Sequence, residues 1–529
     1  MAEGGSVTQP GGSGKKRGCK RKCNCTKECC YSQVVIIGNG PSGICLSYIL
    51  SGNWPYFTGE PHPDPYLQIK LKDDVSILEQ DLDYLSGGLE GRSRNPVALL
   101  FDTLHQPNAD LGDDEKSRLE WRHHNDRVMQ HVVLGKGQPG GSWREMDGSV
   151  LTLSLGKWME LPGVTFQEWI QEYREQNAIN NNNTKAEESS QTRATLGEVA
   201  KYYAEYVGTT DILSNFIART EVTSVRRLKG KRVINSESGE PEIPCQGCCK
   251  FEGDNLFEVK GRHYNGMCGC SQEFTVLTPN VVMATGMLGN PNRLNVEGES
   301  QSYVCTSLKD LDNAVQQEDV HSKSDPILVI GAGLNAADAV LCALKQGIPV
   351  IHVFRRRADD RDVIYAKLPK SVYPEYNQMI SMMKESSSHD GLYTSYAEHR
   401  VVEFKSDRKV VLSGPNNERL ELPVSLALVM IGNLPDLSFL PNQGRNLGAS
   451  KGRPISGRDN PIDVNPFTME SLAEPGLFAL GPLVGDNFVR YAQGGCMALA
   501  QHFAMKNGWV QEMKVHENGE EEEEEEVSQ

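Results

Sequence analysis

The chain lacks any run of ~18 apolar residues, the least that spans a bilayer as a helix, so no transmembrane segment is expected. Its first residues are basic and polar with no apolar stretch behind them, and no secretory signal is expected either. Aromatic residues are sparse, at 7%. Positive charge is in deficit: 54 Lys and Arg face 70 Asp and Glu, for a net charge of −16. That balance argues against nucleic-acid binding. A run of seven glutamates, residues 520–526, supplies nearly half of it and reads as a solvated, disordered tail. The 14 cysteines are diluted and grouped, which suits reduced thiols of a cytoplasmic protein better than a disulfide framework. No Ser/His/Asp or paired-carboxylate set has the local context of a hydrolase. Neither Cys45 nor Cys342 lies in a Cys-x-x-Cys, which disfavours disulfide reduction.

Glycine, by contrast, is plentiful at 51 residues, and some of it falls into two fingerprints, each behind a short apolar strand. The first, VVIIGNGPSG, contains Gly38, Gly40 and Gly43; the second, ILVIGAGLNAADA, contains Gly331, Gly333 and Ala336. A strand that turns at once into a helix needs its first glycine for the turn. The second glycine lets backbone approach a pyrophosphate, and a small third residue lets helix and strand pack closely. The helix N-terminus then presents unpaired N–H groups and the positive end of its dipole to the phosphates. Two such units predict an α/β protein with two Rossmann-like domains, each holding a dinucleotide.

At 529 residues the chain exceeds what one core sustains, so several domains are expected. Residues 1–30 read as a disordered Cys/Lys-rich leader and 511–529 as the acidic tail. Residues 31–300 and 426–510 read as two parts of one dinucleotide domain, with insertions at 53–72, 177–193 and 245–270. Residues 301–425 read as a second domain placed between them. In the first part, strand Val34–Ile37 and a helix over 42–50 precede the proline-rich stretch 53–72 and a second strand over 75–78. That strand ends in Glu79, where a dinucleotide site bonds an adenosine ribose. The usual spacing from the glycines is ~20 residues, and the insertion accounts for the excess; an ordinary surface acid is the competing reading. In the second domain, strand Val350–Phe354 runs into Arg355, Arg356 and Arg357. Arginines there accommodate a 2′-phosphate, favouring NADPH over NADH, against the alternative of a solvated basic cluster. Cys245, Cys248, Cys249, Cys268 and Cys270 have the residue types of a zinc site, but the second pair has the wrong spacing and thiols without metal are expected.

The pattern resembles the flavin-dependent monooxygenases with two dinucleotide-binding domains, over residues 31–510. Gly140-Gly141-Ser142-Trp143 is similar to their Gly-Gly-x-Trp segment along the flavin. Ala284-Thr285-Gly286 with Pro291 resembles their first crossover between domains, and Ile431-Gly432-Asn433 with Pro435 a degenerate second one. Gly481 and Asp486 resemble the late Gly/Asp element that reaches the flavin ribityl chain, although Pro482 follows Gly481 here. The resemblance implies FAD at Gly38, Gly40, Gly43, Glu79, Gly141, Trp143, Gly481 and Asp486. It implies NADPH at Gly331, Gly333, Ala336, Arg355 and Arg356, in a domain inserted into a discontinuous FAD domain. Hydride would pass from NADPH to the flavin, and molecular oxygen would be used on a soft nucleophile, a small molecule or a protein side chain. Residues 296–302 depart from the family, lacking the Phe and His of its Phe-x-Gly-x-x-x-His stretch.

A closer similarity lies in Gly87-Gly88-Leu89-Glu90-Gly91-Arg92, in residues 95–105 (NPVALLFDTLH) and in Gly141-Ser142-Trp143 through Trp158-Met159. These resemble the oxidative stress-induced growth inhibitor family. That resemblance implies a setting of growth restraint, differentiation, division or cell death, with regulatory protein partners. The competing reading is a regulatory binding protein that keeps the flavoprotein fold with little or no turnover.

Overall fold

The computed structural model describes residues 30–181, 193–228, 256–265, 270–361, 363–388 and 391–511. At its centre, Val34–Ile37 forms a fully buried strand in a five-stranded parallel sheet. The order is Leu477–Ala479, Asn280–Met283, Val34–Ile37, His131–Leu134, Phe216–Ile217, so the first and last parts of the chain share one sheet. Because alternate strand residues face opposite ways, Val34 and Ile36 join a core with helices Pro41–Leu50 and Val489–Lys506. Val35 and Ile37 instead meet Val222, Val225, Phe257 and Val259 of an antiparallel sheet on the other face. Both faces are covered, which is why this strand reads as an unbroken apolar run.

The intervening domain repeats the plan. Its six-stranded sheet runs Val304–Cys305, Ala427–Val429, Ile327–Ile330, Val350–Phe354, Tyr393–Ala397, Ser387–Ser388. Ile327 and Val329 pack on the helical side, including Ala336 and Val340 of helix Leu334–Lys345. Leu328 and Ile330 pack toward Phe404, Val410 and Leu412 of a three-stranded sheet. The chain passes between domains twice, and the two passages pair: Asn290–Pro291 lies antiparallel to Asn433–Leu434. Asn292 adds bonds from its backbone N–H to Gly432 O (2.9 Å) and from Nδ2 to Ile431 O (3.2 Å).

Three expectations need correction. Residues 75–78 are not a strand: Ile77–Glu79 is a 3-10 turn, with Ile77 and Leu78 buried in the helical core. Ser76 and Glu79 form a reciprocal capping box there, a local hydrogen-bond solution that a short apolar run does not distinguish from a strand. The second strand of the first unit is His131–Leu134. Second, the stretch 53–72 opens with strand Asn53–Phe57, paired antiparallel with Leu119–His123. Third, Ala427–Val429 pairs with Ile327–Ile330, so the boundary at 425/426 falls too early and the return to the first domain comes after that strand. The proposed insertions at 177–193 and 245–270 lie largely outside the described residues, as do the leader, the tail and all of the candidate zinc cysteines except Cys270. Among the described residues no helix is long and apolar enough to cross a membrane.

Candidate functional site

A cavity of about 550 Å³ opens at the carboxyl ends of the first domain's strands, where open α/β sheets bind ligands. Gly38, Gly40, Gly141, Trp143, Thr285 and Asp486 are among the residues lining it. The three glycines of the first fingerprint have different duties. Gly38 has φ +115°, and a Cβ there would lie 2.2 Å from Ala284 O. A Cβ on Gly43 would lie 2.1 Å from Gly38 O. A Cβ on Gly40 meets no described atom within 4 Å, because it would project into the cavity that Gly40 lines. Gly40 is also the N-cap of helix Pro41–Leu50 and offers no side-chain acceptor, with Pro41 at the first helical position. The first-turn N–H groups therefore face the cavity end uncapped by a side chain, as an anion site requires.

Around this turn the remaining parts converge. Gly141 has φ +56°, and a Cβ there would sit 3.0 Å from Gly40 Cα, so the two backbones are in close contact. Gly140 N–H donates to Asn39 O at 2.9 Å. The Trp143 ring meets Tyr203 edge-on at 5.8 Å. Thr285 Oγ1 is buried with no hydrogen-bond partner among the described residues. Asp486 accepts from Ser93 Oγ (2.6 Å) and Asn95 Nδ2 (3.4 Å), and burial pushes its carboxyl up to about 6. Gly481 does not line the cavity; with φ +63° it packs against Ser42, whose Oγ would be 2.6 Å from an added Cβ.

Glu79 is a correction in place as well as in secondary structure. It does not line the cavity: it pairs with Arg127 at 3.0 Å and accepts from Ser76 N–H. The true strand tip carries Gly135 and Lys136, and Lys136 lines the cavity beside Asn39 and Asp436. Lys136 Nζ reaches Asp436 at 3.0 Å and Glu221 at 3.5 Å. Sequence reasoning missed all three lining residues. The available signal was the apolar run His131–Leu134 just ahead of the Gly-Gly-x-Trp segment.

The second fingerprint is built alike. Gly331 has φ +130°, with an added Cβ 2.3 Å from Met430 O, whereas one on Gly333 meets no described atom within 4 Å. Gly333 is the N-cap of Leu334–Lys345, and Ala336 is fully buried where Cβ packs under the turn. His352, unanticipated from sequence, donates from Nε2 to Gly331 O (2.7 Å) and meets Tyr393 OH at Nδ1 (2.9 Å). Burial lowers its pKa to about 4, so the ring that holds the turn is neutral. Arg355 and Arg356 are exposed at the tip of Val350–Phe354, with Arg356 on Asp360 at 2.7 Å.

A family model described as pyridine nucleotide-disulphide oxidoreductase matches residues 259–481. Among solved structures, bacillithiol disulfide reductase from Staphylococcus aureus superposes with a TM-score of 0.52 at 14% identity, over 90% of this chain and 99% of its own. Reduced ornithine hydroxylase from Pseudomonas aeruginosa gives 0.50 at 11%, over 90% and 100%. Both likenesses establish the fold, that of the flavoproteins with two dinucleotide-binding domains. A human protein, oxidative stress-induced growth inhibitor 2, is 44% identical over 486 residues, covering 89% of this chain and 93% of the relative. At that identity and coverage, the chain belongs to the oxidative stress-induced growth inhibitor family.

Proposed function

We propose that this protein is an FAD- and NADPH-dependent monooxygenase of the cytosol that acts on a soft nucleophile in the control of growth, differentiation or cell death. The observation that carries the reading is the cradle at Gly40: an uncapped helix N-terminus, open space where a side chain would stand, and a buried Thr285 hydroxyl without a partner, all on one cavity. The turn at Gly38, Gly40 and Gly43 would hold the FAD pyrophosphate, Gly141 and Trp143 would flank the ring system, and Asp486 would bond the ribityl chain from the fold's far segment. Gly331, Gly333 and Ala336 would seat the NADPH pyrophosphate, with Arg355 and Arg356 on its 2′-phosphate. Bound together, the two cofactors supply hydride transfer and activation of molecular oxygen.

The chain's own part is placement and exclusion of water. Trp143, Met146, Leu288 and Phe488 give the cavity wall an apolar side, and excluded water strengthens each polar contact inside. Among the described residues no cysteine lines the cavity, which favours oxygenation over disulfide exchange.

The test uses purified full-length protein. Visible flavin absorbance, its bleaching by NADPH without air, and NADPH consumption in air with an added thioether or amine support the reading. Because residues 296–302 lack the Phe and His of the corresponding stretch in the two-domain flavin-dependent monooxygenases, part of the NADPH consumed is expected to appear as hydrogen peroxide. Protein without flavin overturns the proposal. Flavin that NADPH never bleaches transfers support to the regulatory binding protein.

A further inference from the structure

We infer that Asn39 binds the adenosine ribose of the dinucleotide in the first site, in the space where such folds usually place a strand-end acid. The inference rests on the FAD reading of this cavity. Strand His131–Leu134 lies parallel to Val34–Ile37, with Leu134 opposite Ile37 and Leu134 O accepting from Gly38 N–H at 2.8 Å. The next residue therefore stands at the position from which an acid would reach the ribose hydroxyls. Here it is Gly135, and its backbone is not in the left-handed region, so turn geometry does not demand glycine. The Asn39 side chain demands it. A Cβ on Gly135 would lie 2.1 Å from Asn39 Nδ2 and 2.2 Å from Cγ.

Asn39 is the variable residue between the first two fingerprint glycines, and it is 4% exposed while lining the cavity. Its Nδ2 donates to Gly137 O at 2.9 Å, and its carbonyl accepts from Gly140 N–H. The side-chain amide is thus held at Nδ2, while the backbone of Asn39 is held at its carbonyl. Its Oδ1 accepts no hydrogen bond among the described residues, which leaves one acceptor for a ligand hydroxyl. The nearby carboxylates are committed elsewhere. Asp436 accepts from Lys136 Nζ and from the N–H and Oγ of Ser438, and Glu221 faces the same lysine. Beside the strand tip the neutral amide of Asn39 offers an acceptor, and glycine at 135 is the space it needs.

The experiment compares FAD with FMN, which carries the same ring, ribityl chain and first phosphate but no adenosine. Flavin-free full-length protein is titrated with each. Asn39→Ala is expected to weaken FAD about ten-fold, the loss of one buried hydrogen bond, and to leave FMN within about two-fold. Gly135→Ala, which displaces the amide, is expected to show the same selective loss, and the double variant no further loss. Asn39→Asp loses the bond to Gly137 O but keeps an acceptor, so its preference for FAD over FMN should persist. Equal weakening of both flavins, unchanged FAD affinity in Asn39→Ala, or lost preference in Asn39→Asp overturns the inference while the FAD site stands. Wild-type protein that binds no FAD overturns both.

Discussion

Gly38 and Gly40 are two residues apart, and replacing each should separate stability from cofactor binding. In Gly38→Ala the new methyl would lie 2.2 Å from Ala284 O, far inside the ~3.5 Å of a relaxed contact. It would also hold a non-glycine residue at φ +115°. Strained backbone costs ~1–3 kcal/mol and the forced shift of strand Asn280–Met283 ~2 kcal/mol, together roughly 3–5 kcal/mol. In Gly40→Val the side chain enters open space at φ −79°, ψ −172°, which valine adopts freely. The cost is that of a poorer N-cap, a few tenths to ~1 kcal/mol. At roughly 2 °C per kcal/mol for a chain of this size, thermal denaturation of flavin-free protein should fall by ~5–10 °C for Gly38→Ala and by ~2 °C or less for Gly40→Val. Flavin content should behave oppositely to stability in the second variant: a folded protein that holds no FAD. The pair Gly331→Ala and Gly333→Val should repeat this contrast for NADPH, since a Cβ meets Met430 O at 2.3 Å in one and no described atom in the other. Gly40→Val recovered with full flavin, or as unstable as Gly38→Ala, would refute the division of labour.

Arg355→Ala should weaken NADPH ten-fold or more while sparing NADH, and exceed Arg356→Ala, because Arg356 already spends bonds on Asp360; equal losses for both nucleotides, read by titration, would return the arginines to the surface. Asp486→Asn tests the buried carboxyl. Its folded pKa, about 6, lies above the ordinary 3.8, so its stabilising contribution is present below pH ~4 and lost as pH rises through 6. Denaturant titration of flavin-free protein should therefore find Asp486→Asn more stable than wild type at pH 7, by roughly 3 kcal/mol at most, and no better at pH 4; the same difference at both pH values contradicts the assignment. Asp102→Ala removes the bidentate partner of the buried Arg490, whose guanidinium meets both Asp102 oxygens at 2.6 Å, leaves it Asp110 at 3.3 Å, and should destabilise by ~3 kcal/mol. Arg490→Met at the same site should cost clearly less in the same denaturation assay, and equal costs would show that charge pairing is not what the site needs.

Local pattern was enough for the strands and helices of both fingerprints, because a strand–turn–helix unit is set by neighbours a few residues away. What pattern could not supply was pairing. The runs at 75–78 and at His131–Leu134 look alike in sequence; only the second hydrogen-bonds to Val34–Ile37, after a helical unit has been placed between them. The run Ala427–Val429 is legible as a strand, yet its membership of the inserted sheet depends on Ile327–Ile330, about a hundred residues earlier.

The same limit governs the site. Glu79 satisfies the local rule for a ribose ligand, an acid behind an apolar run, and sits instead on Arg127. Asn39 breaks no local rule and draws no attention, because a fingerprint tolerates any residue between its first two glycines. Its meaning appears only when Gly135 is found against its amide, and neither residue is informative without the other. The crossovers make the converse case. Ile431-Gly432-Asn433 lacks the Ala-Thr of its counterpart, yet Asn433–Leu434 pairs with Asn290–Pro291 and Gly432 O accepts from Asn292. A hinge made of backbone hydrogen bonds needs chain direction and spacing more than particular side chains, so the motif can degenerate while the link between the domains is retained.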